Sequence, residues 1–136
     1  MATVRVDHVS ADAFDVHIRE HVLRVDQKVA DGGADSGPTP TELFVASLAA
    51  CVGYSARRFL ARHDLPTAGL TVTARSTGAV KPARVGRIEV EISLPEDFPE
   101  QRTAALLAVA SHCSVHSSLE QPPEVVVTAV VPELVP

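Results

Sequence analysis

The chain has 136 residues, of which 46% are hydrophobic and 21% charged, and its formal net charge at pH 7 is -5. This length and composition predict a single globular domain spanning residues 1–136. The negative charge argues against nucleic-acid binding, because a surface that follows phosphates needs clustered lysines and arginines.

The start of the chain is typical of a protein that is not exported. Residues 1–15 alternate polar and apolar side chains without a continuous hydrophobic core, so we expect no signal peptide. The longest apolar run is shorter than the ~20 residues that cross a bilayer, so we expect no membrane partner. We therefore expect a cytoplasmic protein, in which two cysteines are usually thiols, or a catalytic or redox-sensing pair.

The first quarter of the chain predicts an antiparallel sheet. Polar and apolar residues alternate from Met1 to Arg24, with a second strand over Ala13–Ile18 and a third run over His21–Val25. The following stretch, Val29–Pro40, predicts a loop, because its glycines and prolines break regular structure and its aspartates favour turns.

A long apolar helix is predicted next, from about Thr41 to His63. No charged residue occurs over 43–54 and many of its side chains are small, so we expect this helix to be buried on all sides at the centre of the protein. Either Thr39 or Thr41 can cap its start, and Glu42 lies favourably in its first turn.

The second half of the chain predicts a hairpin, helical segments and a last strand. The hairpin strands are Leu70–Thr77 and Arg87–Leu94, in which alternate residues are apolar. A second helix is predicted over Pro99–His112, and Ser111–Gln121 can add a further helical turn. The valine-rich segment Glu124–Val131 predicts a strand buried on both faces. The order βββ-α-ββ-αα-β defines an α+β domain with its long helix packed on an antiparallel sheet.

Two cysteines, Cys51 and Cys113, are the first candidates for chemistry, although a free cysteine is most often an inert buried side chain. Cys51 lies among small residues in the long helix, and Cys113 lies in a polar segment, SHCSVHSS, where an inert core thiol would be unusual. Cys51 is beyond the first turn of its helix, so its thiolate needs a cation from another segment. The N-terminal strands supply three candidates, Arg5, Arg19 and Arg24.

Histidines near the cysteines are weaker candidates. His112, Cys113 and His116 form an H-C-x-x-H pattern, but a structural zinc needs four ligands, so we expect no metal. Two interpretations of His21 are equally favoured: a strand histidine with a local hydrogen bond, or a catalytic base.

Two segments together resemble the osmotically inducible protein C and organic hydroperoxide resistance (OsmC/Ohr) family. They are GGADSGPTPTELFVASLAACVGYSARRFL and, further on, HCSVHSSL. The family's hallmarks are a Gly-x-x-Pro-x-Glu-Leu helix that reaches Ala-Ala-Cys and a later Cys-Pro-Val-His-like segment. The stretch REHVLRVD also resembles the His-x-x-x-x-Asp strand of the OsmC-like branch of the family.

The resemblance implies an intertwined homodimer in which sheets wrap two long central helices and two active sites lie at the subunit interface. It also implies an antioxidant thiol peroxidase of the stress response, which needs no cofactor. In that scheme Cys51 attacks an organic hydroperoxide and becomes a sulfenic acid, and Cys113 condenses with it to a disulfide. An external dithiol, such as a lipoylated protein, then reduces the disulfide.

The resemblance implies further site residues, and the sequence departs from the family pattern at two positions. It implies an arginine over Cys51, for which Arg19 is the first choice and Arg24 the second. The family glutamate that holds this arginine falls at Thr41 here, and the nearest carboxylate is Glu42, one residue later. The family proline after the second cysteine is Ser114.

Three residues are expected to line the substrate pocket: His21, Phe44 and Leu48. Two alternatives keep the fold but not the peroxidase activity. One is a redox-sensing or hydrophobic-ligand-binding protein with slow thiol turnover, which the misplaced glutamate favours. The other is a structural dimer with inert cysteines.

Overall fold

The computed structural model describes residues 2–133 of the chain. Met1, where the first predicted strand begins, and residues 134–136 of the predicted domain lie outside the described residues. The elements follow the order β1 (Val4–Ser10), β2 (Ala13–Ile18), β3 (His21–Val25), α1 (Pro40–Arg62), β4 (Thr71–Ala79), β5 (Arg84–Ser93), α2 (Thr103–Ala110) and α3 (Ser114–Glu120), with single 3-10 turns at Val29–Asp31 and Glu100–Arg102. The predicted α+β class is confirmed.

The N-terminal strands form one antiparallel sheet in the order β1-β2-β3. Their register sets apolar residues side by side on one face, as in the pairs Val6 with Val16 and Val16 with Leu23. Within residues 2–133 this sheet makes no extensive contact with a helix or with the second sheet. Its apolar face is therefore left uncovered, and Val6 stays 52% exposed.

A buried carboxylate fixes the loop between β3 and α1. Asp26 is only 2% exposed. It accepts hydrogen bonds from the backbone N–H groups of Gln27 and Ser36, at 2.7 and 3.1 Å, and from the Ser36 hydroxyl at 2.7 Å. The loop comes so close that a side chain at Gly37 would lie 2.2 Å from the carbonyl oxygen of Arg24. These contacts hold the loop against the end of β3 and so set the start of α1.

The long helix α1 begins with a capping box. Thr39 accepts a hydrogen bond from the Glu42 backbone N–H, and the Glu42 carboxylate accepts one from the Thr39 N–H at 2.8 Å. Pro40 occupies the first helical position, where its missing N–H has no helical partner to lose. Of the two predicted caps, the structure uses Thr39.

One face of α1 carries the core. The hairpin of β4 and β5 packs on it from one side and α2 and α3 from another. Two clusters of buried side chains result, one around Leu48 and Val52 and the other around Phe59 and Leu60.

The expectation that α1 is buried on all sides is wrong for the single chain. By length and composition alone the helix could cross a membrane, and only 28% of its most apolar window is buried. Tyr54 and Phe44 remain 59% and 42% exposed. The reason is physical: the β1-β2-β3 sheet, which could cover the second face of the helix, does not pack on it.

The predicted last strand, Glu124–Val131, is also wrong for the single chain. These residues have no regular secondary structure, and Val127 and Val131 are each 88% exposed. A strand needs a neighbour to receive its backbone hydrogen bonds, and this segment pairs with none of the strands among residues 2–133. Its valine content indicates burial, but no other part of residues 2–133 covers it.

We expect Asp26→Asn to destabilise the fold and to change its acid sensitivity. The hydroxyl of Ser36 and the backbone N–H groups lower the pKa of Asp26 from 3.8 to about 2. Because the folded pKa is lower than the unfolded one, this stabilisation is full above pH ~4 and is lost as the pH falls towards about 2. Thermal unfolding from pH 7 down to pH 2 measures it.

The matched control is Asp31→Asn, in the same loop but with an exposed side chain. We expect it to keep the wild-type midpoint and pH profile. Equal losses in both variants would show that the buried carboxylate has no special part in holding the loop.

Candidate active site

The two cysteines meet beside the first core cluster. Cys51 lies at the middle of α1, and Cys113 is the residue just before α3. Both are free thiols. Cys113 is buried with Leu48 and Val52, and Cys51 packs against this cluster from a half-buried position. The two cysteines lie close enough for each thiol to influence the ionisation of the other.

The start of α3 points its polar groups at Cys51. Ser114 and Val115 are the first two residues of that helix, so their N–H groups have no partner within the helix. The Ser114 hydroxyl oxygen lies 3.8 Å from the Cys51 sulfur. The polar segment predicted around Cys113 therefore brings hydrogen-bond donors to the middle of an otherwise apolar helix.

These contacts give the two thiols opposite acidities. Burial opposes ionisation of Cys51, but the N–H of Val115, the Cys113 thiol and the hydroxyl and N–H of Ser114 outweigh it and lower its pKa. Burial raises the pKa of Cys113, and the neighbouring Cys51 raises it further, against the N–H of His116. Of the two thiols, Cys51 is therefore the one that loses its proton more readily, while Cys113 holds its proton more firmly.

Within residues 2–133 no cation contributes to this stabilisation, which differs from the expectation that Cys51 needs one from another segment. Hydrogen-bond donors from α3 lower the pKa of Cys51 instead. The sequence indicated only half of this arrangement, namely a further helical turn within Ser111–Gln121, the segment that contains Cys113. It did not show that the same turn faces Cys51.

The predicted arginines lie on the N-terminal sheet, away from Cys51. Arg19 is in the tight turn between β2 and β3, with a φ of 52°. The Arg24 guanidinium donates a 2.7 Å hydrogen bond to Asp15, which lowers the pKa of that carboxyl. His21 is exposed on β3, paired in register with Ile18. One chain does not bring these residues to the thiols.

The site residues predicted on α1 lie in different environments. Glu42 caps the helix, and the N–H of Thr39 lowers the pKa of its carboxyl. Phe44 and Leu48 line a cleft of about 390 Å3 together with Ile88 and His116. A second cavity of about 230 Å3 adjoins it and is lined by Leu48, Ile88, His116, Val52, Val90 and Ile92.

No metal centre is formed by the H-C-x-x-H pattern in the described part of the chain. His116 is turned away to pair with Glu120 at 3.0 Å, and His112 bonds to the carbonyl oxygen of Ala108 at 2.5 Å. His116 was considered only as a metal ligand from the sequence, yet it lines both of these cavities. Its spacing from Cys113, one helical turn, was the signal available.

The fold and the cysteine pair together define a dithiol site between a central helix and a short helix in an α+β domain. A family model for OsmC-like proteins matches residues 32–128. The chain therefore belongs to the OsmC-like family. Comparison with curated proteins finds no significant match.

Solved structures share this fold at low sequence identity. A Psychrobacter arcticus protein named for osmotic stress induction and detoxification response superposes with a TM-score of 0.80 and 21% identity, over 87% of this chain and 88% of that one. An OsmC-like protein from Mycoplasma pneumoniae gives 0.77 and 12%, over 90% and 89%. An organic hydroperoxide resistance protein from Elizabethkingia anophelis gives 0.65 and 20%, over 90% and 91%.

We expect Ser114→Ala to raise the pKa of Cys51, because it removes the hydroxyl that stabilises the thiolate. The rate of iodoacetamide alkylation at Cys51, followed by peptide mass spectrometry from pH 5 to pH 10, reports this pKa. The titration should move to higher pH, and alkylation at pH 7 should be several-fold slower.

Ser117→Ala, an exposed position on the same helix, is the control and should leave the titration unchanged. An unchanged profile in Ser114→Ala would leave the backbone N–H groups and Cys113 as the only donors that matter.

Proposed function

We propose that this protein is a cysteine-based peroxidase that reduces organic hydroperoxides in a reducing compartment such as the cytoplasm. The observation that carries the proposal is the asymmetric thiol pair: Cys51 has a lowered pKa and Cys113, next to it, a raised one. A peroxidase needs these two properties, a thiolate to attack and a protonated thiol held in reserve. Membership of the OsmC-like family and its organic hydroperoxide resistance neighbours support this choice.

The first step is attack of the Cys51 thiolate on one oxygen of the O–O bond. An S–O bond forms as the O–O bond breaks, so the sulfur is oxidised to sulfenic acid and the hydroperoxide is reduced to an alcohol. The alkoxide that leaves takes a proton, which the Cys113 thiol or the Ser114 hydroxyl is positioned to supply. Both groups adjoin the Cys51 sulfur, which places proton donors beside the reacting atoms.

The second step joins the two sulfurs. Cys113, as thiolate, attacks the sulfur of the Cys51 sulfenic acid: an S–S bond forms as the S–O bond breaks, and the hydroxide that leaves takes a proton from solvent to become water. Burial of Cys113 keeps this thiol protonated until Cys51 has been oxidised and its negative charge is gone. An external dithiol then returns both cysteines to thiols and becomes a disulfide itself. The cycle needs no metal or organic cofactor.

Two cavities that share Leu48 with the core cluster around Cys113 favour an organic oxidant over hydrogen peroxide. Leu48, which lies one helical turn before Cys51, lines both of them, and the opposite wall is the apolar face of β5. His116 also lines both cavities, and its backbone N–H acts to lower the pKa of Cys113. An alkyl or aryl group in this space would bury apolar surface, and each Å2 removed from water would contribute about 25 cal/mol of favourable binding free energy.

We propose further that the active protein is a homodimer. The uncovered apolar face of the β1-β2-β3 sheet, the exposed face of α1 and the valine-rich segment 124–131 all lack a cover in one chain. A second copy supplies complementary surfaces for all three. In such a dimer the partner's sheet would carry the arginine of the family pattern, with Arg19 as our choice, to the cysteine pair.

We expect the wild-type protein to consume cumene hydroperoxide with dihydrolipoamide as reductant. Cys51→Ser should abolish turnover, because no thiolate remains to attack the O–O bond. Cys113→Ser should stop after one equivalent, with Cys51 as sulfenic acid that oxidises further in excess peroxide. Peroxide consumption and intact mass after one equivalent measure these outcomes.

Equal rates for wild type and Cys51→Ser would contradict the peroxidase. The apolar cavities would then favour a hydrophobic-ligand-binding protein, which stays reduced after one equivalent of hydroperoxide.

The dimer is tested by mass in solution. Light scattering after size exclusion should give twice the subunit mass of 14.4 kDa, and the unfolding midpoint should rise with protein concentration. Val127→Asp places a charge in the exposed valine segment and should lower the dimer fraction. Thr128→Asp, which places the same charge at the neighbouring polar position, is the matched control. A monomer that unfolds at a concentration-independent temperature would contradict the dimer.

A further inference from the structure

The short helix α3 has little of its own to hold it in place. It is seven residues long, and neither a capping bond from the side chain of Cys113 nor an acidic residue in the first turn stabilises its start. Isolated helices shorter than about 12 residues are marginal in water, so α3 depends on contacts made by its side chains. Among the helices and strands of residues 2–133, its extensive contacts are with α1.

The side chain of His116 makes two kinds of contact. Its Nε2 lies 3.0 Å from a carboxylate oxygen of Glu120, one helical turn further along α3. Its ring also lines both cavities between α1 and β5, together with Leu48 of α1 and Ile88 of β5. One imidazole therefore connects the end of α3 with the space between α1 and β5.

The same helix brings its first turn to Cys51. The Ser114 hydroxyl oxygen lies 3.8 Å from the Cys51 sulfur, and the N–H of Val115 helps to lower the pKa of Cys51. A hydrogen bond of 2.8 Å from the Ser118 hydroxyl to the carbonyl oxygen of Ser114 ties the second turn to the first. Because the residues of so short a helix move together, a contact that fixes its end also fixes the donors at its start.

Glu120 is the carboxylate that faces His116. Among the residues that line the two cavities, α1 and α2 contribute no titratable side chain. The strand β5 contributes only Arg87, which pairs with Glu89 at 2.9 Å rather than with Glu120. An imidazole gains its proton between about pH 8 and pH 5, and the contact with Glu120 then becomes an ion pair.

We propose that His116 and Glu120 are positioning residues, whose pairing holds α3 in the orientation that brings its first turn to the Cys51 sulfur. The pairing strengthens when His116 is protonated, so pH acts on Cys51 through α3 as well as directly. The inference rests on the proposed peroxidase, in which Cys51 is the attacking thiol, and it adds a way in which that thiol is regulated.

Glu120→Gln tests the pairing without disturbing the core, because the Glu120 side chain is 67% exposed. Alkylation of Cys51 by iodoacetamide is followed by peptide mass spectrometry from pH 5 to pH 8 in the reduced full-length protein. The variant should react about twofold more slowly than wild type at about pH 5.5, which is the size of an i,i+4 ion pair on a helix. The difference should shrink above about pH 7, where an imidazole is neutral.

The matched control is Glu91→Gln, which removes the same charge from an exposed position of β5 outside both cavities. It should be alkylated as wild type is at every pH. Equal profiles for Glu120→Gln and wild type would overturn the proposal. A loss of the same size at every pH would overturn it as well, because a change of packing alone does not follow the ionisation of an imidazole.

His116→Gln removes the ion pair from the other side. It should reproduce the profile of Glu120→Gln, and the double variant should lose nothing further, because the two residues act as one unit. Additive losses would overturn the proposal. His116 is half-buried, so the thermal midpoint of each variant is measured, and the Glu120→Gln profile decides the case if His116→Gln does not fold.

The two proposals can fail separately, because alkylation needs no peroxide. If Cys51→Ser and wild type consume cumene hydroperoxide equally, the peroxidase is wrong. The alkylation profiles then still decide whether His116 and Glu120 position α3.

Discussion

The contact between the middle of α1 and the first turn of α3 is the interaction on which the site depends. A thiol at the centre of a long apolar helix is far from the helix N-terminus and would ordinarily have a raised pKa. The first turn of α3 supplies unpaired N–H groups and the Ser114 hydroxyl at that point. Without this contact Cys51 would be an ordinary half-buried thiol, and Cys113 would have no partner.

Most of the fold could be predicted from the sequence because its signals are local. Alternation in β2 and β5, the apolar run of α1 and the breakers after His21–Val25 each depend on a few neighbouring residues. The last strand, Glu124–Val131, failed for the opposite reason. Its valines indicate burial, but whether a strand forms depends on pairing with a distant strand, and this segment pairs with none among residues 2–133.

The sequence predicted which cysteines form the site, but not what lowers the pKa of Cys51. Cys51 and Cys113 carried recognisable motifs, and the structure brings them together. The source of the lowered pKa at Cys51 was not visible, since it depends on how α3 is oriented against α1, a contact between residues 63 positions apart. Glu42 illustrates the same limit: one helical residue decides between a site carboxylate and the helix cap that it forms with Thr39.

The exposed valine segment near the end of the chain has a consequence for the newly made protein. An extended, apolar stretch with unpaired backbone groups is a template for aggregation until a neighbour covers it. Prolines bound this stretch on both sides, at Pro122, Pro123 and Pro132. Because proline cannot donate a backbone hydrogen bond, it stops a pairing ladder from lengthening in either direction. The prolines on either side of this exposed segment thus limit how far an unwanted sheet could grow along the chain.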